Sequence, residues 1–101
     1  MDIRYHSEKY QVTDHFREIV AQKLEQKIAK FVAPETKADV IAKTQQGEEI
    51  LEIIIGIKPK TIRTTIVGRN MYQNIDDVVA KLETQFAKKH DKKVNIRGRA
   101  T

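Results

Sequence analysis

Two single-faced helical patterns, one near each end of the chain and separated by three strand-like runs, restrict this sequence most. Met71, Ile75, Val78, Val79, Leu82 and Phe86 recur at helical spacing, which gathers them on one buried face. Asn70 stands where an N-cap belongs. Nearer the N-terminus, Phe16, Ile19, Val20, Leu24, Ile28 and Phe31 form a second stripe that predicts a helix running to Phe31. Thr13 is placed to cap it, Asp14 suits the positive end of its dipole, and Pro34 lies just past its end.

Each stripe needs an apolar surface to cover it, and the middle of the chain supplies one. Residues 37–44, 49–58 and 60–67 are rich in Ile, Val and Thr, as strands are. Gln45-Gln46-Gly47-Glu48 and Lys58-Pro59-Lys60 are short enough to make both connections hairpin turns. Residues 2–6 alternate like a short half-buried strand, and Ala33-Pro34-Glu35-Thr36 reads as a loop. The predicted order is β-α-β-β-β-α, an α+β fold with a four-stranded sheet and both helices packed on one of its faces. On the third strand Leu51, Ile53, Ile55 and Ile57 share one side, while Ile50 and Ile54 share the other with Glu52. Isoleucine on a solvent-facing strand follows from β-propensity alone; a small partner surface is the sharper alternative.

A chain of 101 residues is one domain. We place it at 1–92, with 93–101 as a basic C-terminal tail that would open a linker. There is no cysteine, so nothing calls for an oxidising compartment or a sulfur-liganded metal. The polar start, Met1-Asp2-Ile3-Arg4-Tyr5-His6, lacks the apolar core of a signal peptide. The longest apolar run, 50–57, is interrupted by Glu52 and Gly56 and is far shorter than the roughly 20 residues that span a bilayer. A cytoplasmic protein without a membrane partner is expected.

The positive charge is localised. Residues 88–101 carry +5, which equals the net charge of the whole chain, while 1–87 are balanced at thirteen basic and thirteen acidic residues. A concentrated cation seeks an anion. Lys81, Gln85, Lys88 and Lys92 follow at offsets of four, three and four, with Lys89 four past Gln85 and three before Lys92, and Lys23, Lys27 and Lys30 follow at four and three on the first helix. If the helices lie side by side, both stripes can face outward together as one cationic ridge for a phosphate backbone, extended by Lys93 and Arg97. The bland alternative is a solvated lysine face, more apt for the first helix, where Glu18 and Glu25 dilute the charge. No strand carries the two exposed aromatics of a base-stacking sheet, so phosphate and shape contacts are the expected mode.

Catalysis finds no support. His6, His15 and His90 lie on separate elements without ligand spacing, and the four glycines are isolated, so neither a metal site nor a phosphate loop is expected. Adjacent Asp76 and Asp77 point in different directions on a helix and suit its dipole better than an acid–base pair. We expect no enzyme, no cofactor, no metal and no small-molecule substrate.

The stretch Asn70-Met71-Tyr72-Gln73-Asn74-Ile75-Asp76, followed by Lys81-Leu82-Glu83-Thr84-Gln85-Phe86, resembles the signature helix of the ribosome hibernation promoting factor and ribosome-associated inhibitor (protein Y) family. Val12-Thr13, Phe16-Arg17-Glu18-Ile19-Val20 and Lys23-Leu24 resemble that family's first helix, and the resemblance covers essentially the whole chain. It implies a double-stranded-RNA-binding-like fold on the small ribosomal subunit, in the channel for messenger and transfer RNA. The protein would contact ribosomal RNA there and inhibit translation under stress or in stationary phase. Lys23, Lys81, Gln85, Lys88, Lys92 and Arg17 match polar or basic positions of the family's RNA-facing helices. Departures are Asn70 for an acidic residue, Thr84 for arginine, a displaced Lys27-Ile28-Ala29-Lys30-Phe31 and the apolar Ile53-Ile54-Ile55. Asp91 to Arg97 is similar to the junction before the dimerisation domain of long members, so a second domain in a longer parent chain is one option and a short form the other. A free-standing double-stranded RNA binder or RNA chaperone is the alternative function.

Overall fold

A computed structural model describes residues 1–57 and 60–100, with the side chains of the last helix up to Lys88. The elements are β1 (Asp2–Glu8), α1 (Asp14–Lys27), a 3₁₀ turn (Ala29–Phe31), β2 (Lys37–Gln45), β3 (Glu48–Gly56), β4 (Thr61–Gly68) and α2 (Met71–Ala100). The predicted β-α-β-β-β-α order is the observed one. The sheet runs β1-β2-β3-β4, with β1 parallel to β2 and the other pairs antiparallel. A parallel pair needs a crossover, and α1 is that crossover.

The caps follow the sequence. Thr13 Oγ1 accepts from the Phe16 N–H at 3.1 Å, and Asn70 Oδ1 accepts from the N–H groups of Tyr72 (3.0 Å) and Gln73 (3.2 Å). The β2–β3 hairpin closes at the Gln45 and Glu48 pair, leaving Gln46 (φ 51°) and Gly47 (φ 79°) as the turn. Positive φ at both central residues is the type I′ geometry that matches strand twist. The Ile57 N–H donates to the Lys60 carbonyl at 3.1 Å across the β3–β4 connection, whose Lys58 and Pro59 lie outside the described residues.

The first helix stops earlier than its stripe suggests. At Ile28 the α-helical ladder gives way, and the Phe31 N–H bonds the Ile28 carbonyl at 2.9 Å. This tighter turn removes Phe31 from the stripe of α1 and lets it stack on Phe86, with ring centroids 5.4 Å apart and planes 9° apart. The helix expected to reach Phe31 therefore ends at Lys27. At the other end of the chain α2 extends past residue 92, the boundary expected between domain and tail.

The core lies between the sheet and the two helices. Phe16, Val20 and Leu24 of α1 with Ile28 at its C-cap, and Met71, Ile75, Val78, Val79, Leu82 and Phe86 of α2, pack onto Ala38, Val40, Ala42, Leu51, Ile53 and Ile55. Burying a Leu, Ile or Phe side chain stabilises by roughly 1.5–3 kcal/mol. Buried Asn74 donates from Nδ2 to the Glu49 carbonyl at 3.0 Å, tying the first turn of α2 to the start of β3. A Cβ at Gly68 would collide with the Asn74 Oδ1, so any larger residue must displace that buried, hydrogen-bonded side chain.

Candidate nucleic-acid interface

The helices run in the same direction. His15 of α1 meets Tyr72 at the start of α2, and Lys30, just past α1, meets Glu83 further along. In the groove between them Lys23 Nζ lies 2.9 Å from Asp76 Oδ1 and Lys30 Nζ 3.9 Å from Glu83 Oε2. Lys27 lines the same groove, whose floor is Val79 and Ala80. Asp76 and Glu83 are seven residues apart, two helical turns, and so form an acidic row on the flank of α2 that faces α1. Lys23 and Lys30 thus each meet a carboxylate, while exposed Lys27 makes no ion pair among the described residues.

Lys81 and Lys88 lie on the other flank. Gln85, which shares their face by periodicity, accepts at Oε1 from the Thr64 hydroxyl at 3.2 Å and so turns that flank toward β4. Both lysines are exposed and make no ion pair among the described residues. The single outward ridge expected from both helices is therefore split: α2 stands between the two stripes, and the α1 stripe faces the acidic row. Glu18 and Glu25 are local to α1, whereas the carboxylates that pair with Lys23 and Lys30 come from the other helix. Lys89, Lys92, Lys93 and Arg97 belong to α2 by backbone, and their side chains lie outside the described residues.

Arg17 occupies a third place. Its guanidinium sits 5.6 Å from the centroid of the Tyr5 ring, and the Tyr5 hydroxyl donates to the Arg17 carbonyl at 3.0 Å, tucking it against β1. Burial pushes the Tyr5 phenol above its ordinary pKa, against the opposing pull of Arg17. Burial also raises Tyr10, helped by Tyr72 and Glu49.

Topology adds cations that the sequence did not mark. β4 is an edge strand, and it carries exposed Lys60, Arg63 and Arg69 on it or at its ends. Nothing local to residues 60–69 reveals an edge, which depends on the order of the whole sheet. Arg63 Nε is engaged by Glu52 at 3.6 Å on the open face of the sheet.

That open face is balanced. Asp39 Oδ1 meets Arg4 Nε at 3.2 Å and His6 Nε2 at 3.1 Å, Glu8 meets Lys43 at 4.0 Å, and Thr65 donates to Glu52 at 3.0 Å. Ile50 and Ile54 do lie here, half-buried, with Ile41 between the charged pairs and Val67 54% exposed beside them. Alternating paired charges give no net field for a polyanion.

Among the described residues no group of three His, Cys, Asp or Glu side chains could hold a metal ion, and no helix is long and apolar enough to cross a membrane.

The family described as Sigma 54 modulation protein / S30EA ribosomal protein matches residues 3–94. The chain belongs to that family. Its fold is similar to that of a structure titled as a ribosomal subunit interface protein from Coxiella burnetii, with 22% identity and a TM-score of 0.77 over 90% of this chain and 99% of that one. It is also similar to the N-terminal domain of Thermus thermophilus Protein Y, with 25% identity and a TM-score of 0.77 over 87% of this chain and 98% of that domain.

Proposed function

We propose that this member of the S30EA ribosomal protein family is a ribosome hibernation factor of the cytoplasm. It binds the small ribosomal subunit through ribosomal RNA, occupies the channel for messenger and transfer RNA, and inhibits translation under stress or in stationary phase. It does so without catalysis. Family membership and the likeness to a ribosomal subunit interface protein support the ribosome as partner. The observation that carries the RNA-binding part is the flank of α2 beside β4, where Lys81 and Lys88 are exposed without an acidic partner among the described residues.

Each lysine there acts as a point charge on phosphate and carries no sequence information. The basic residues that continue α2, Lys89, Lys92, Lys93 and Arg97, prolong the same charge in sequence. Lys23, Lys27 and Lys30 play the lesser part, because phosphate approaching them also meets Asp76 and Glu83.

Cosedimentation with ribosomes and separated subunits across a salt series tests this. Retention on the small subunit, lost as salt rises and blocked by messenger and transfer RNA, is the expected result. Absence from every ribosomal fraction at low salt refutes it. Capture by bare duplex RNA as strong as by the subunit favours the free-standing double-stranded RNA binder instead.

A further inference from the structure

We infer that His15 and Tyr72 form a stacking platform for one unpaired base of the bound RNA. Their rings come from different helices and lie with centroids 5.6 Å apart and planes tilted by 38°. Both are exposed, and Tyr72 is 40% accessible at the first turn of α2. The Tyr72 ring is held from below: fully buried Phe16 packs edge-on against it at 6.2 Å and 75°, and Tyr10 packs edge-on against Phe16 at 5.5 Å and 62°. Asn70 fixes the backbone of Tyr72 through its N–H. A ring fixed behind and open in front loses little freedom when a planar group covers it.

The surroundings select the ligand. Arg69, Gln73 and Asp76 on the adjoining turns are exposed and polar, so no broad apolar patch for a folded partner surrounds the two rings among the described residues. An aromatic face with a hydroxyl or ring nitrogen at its edge suits a nucleobase, which offers its own π-face and hydrogen-bonding edges. Lys23 and Asp76, one turn beyond Tyr72, pair with each other at 2.9 Å, so the surroundings of the platform are close to neutral and the contact rests on stacking. The platform escapes a strand-by-strand search for aromatics because neither residue is on a strand and the pair forms only when α1 and α2 pack in parallel.

The platform rests on the proposed binding to ribosomal RNA and adds a salt-independent contact to it. Ribosome affinity across a salt series is measured for the wild-type chain, Tyr72→Leu, Tyr72→Phe and His15→Ala, together with ultraviolet crosslinking and mass spectrometry of the peptide that contains Tyr72. Leucine keeps an apolar contact on Phe16 while removing the π-face, and thermal melts confirm that the variants fold. Tyr72→Leu is expected to lose about tenfold or more in affinity with an unchanged salt slope, and Tyr72→Phe to retain affinity. His15→Ala is expected to lose less than Tyr72→Leu, and the wild-type peptide to carry a crosslinked nucleotide. Wild-type binding that Tyr72→Leu leaves intact overturns the platform alone. A loss accompanied by a peptide crosslink and no nucleotide shows a protein contact and also overturns it. Failure of the wild-type chain to bind ribosomes overturns the ribosomal proposal and the platform together.

Discussion

Replacing Lys81 and Lys88 with alanine separates the two flanks of α2 by experiment. Both side chains are exposed and lack an acidic partner among the described residues, so each is counted as one full phosphate contact. Counterion release makes each contact worth a salt slope of about 0.7–0.9. At about 0.1 M monovalent salt this is a factor of about 5–8 per lysine, and about 25- to 60-fold for the pair. The companion variant is Lys23→Ala with Lys30→Ala. These two sit 2.9 and 3.9 Å from Asp76 and Glu83, so their charges are already partly offset. Exposed ion pairs of this kind contribute only about 0–1 kcal/mol to stability, and the helices should stay packed without them. Ribosome affinity by cosedimentation, repeated at several salt concentrations, should fall much further for Lys81/Lys88 than for Lys23/Lys30. The salt slope should become shallower by about 1.4–1.8 in the first variant. Equal losses in the two variants, or a larger loss for Lys23/Lys30, would refute the assignment of the RNA-facing flank.

Other outcomes follow from single contacts. Replacing the acidic row, Asp76→Asn with Glu83→Gln, should strengthen RNA binding at low salt by freeing Lys23 and Lys30, as the same cosedimentation shows. Asn74→Ala leaves the Glu49 carbonyl without its partner and should cost about 1–3 kcal/mol in denaturant unfolding. Gly68→Ala pushes against the same asparagine and should destabilise by about 1–3 kcal/mol. Alkaline titration should lower stability as well. The phenols of Tyr5 and Tyr10 are raised in the folded chain, so the unfolded chain ionises first; their contribution is complete below the ordinary tyrosine value of 10.0 and is lost as pH rises through the folded values. Tyr10→Phe should flatten that decline in melts taken at increasing pH.

The elements were legible because each carries a local signal. Thr13 and Asn70 mark helix starts, Gly47 marks the hairpin, and both helical stripes supply the core where periodicity puts it. The end of α1 was not legible, because the reason Phe31 leaves the helix is Phe86, a partner 55 residues further along. The candidate site divides in the same way. Which lysines share a helix face can be read from offsets of three and four. Which of them keep their charge cannot, because Asp76 and Glu83 become neighbours of Lys23 and Lys30 only through helix packing. The pairing of His15 with Tyr72 has the same origin, whereas the edge position of Arg63 comes from the order of the sheet.

The pairing across the groove gives the surface an orientation that charge counting alone does not provide. A uniformly basic pair of helices would attract RNA from many directions and hold it in several poses. Here α2 carries carboxylates on the flank toward α1 and unpartnered lysines on the flank toward β4. The open sheet face has its acids and bases matched. A long polyanion therefore gains most along one flank, and misaligned approaches meet Asp76, Glu83 or a neutral sheet. On the proposed function, the acidic row would lower the attainable affinity while narrowing the set of bound orientations. The Asp76→Asn, Glu83→Gln variant should accordingly bind RNA in general more tightly and discriminate less between the ribosomal small subunit and bare duplex RNA. Competition between those two RNAs measures the ratio, and a variant that gains affinity for both equally would sink the argument that the carboxylates orient the complex.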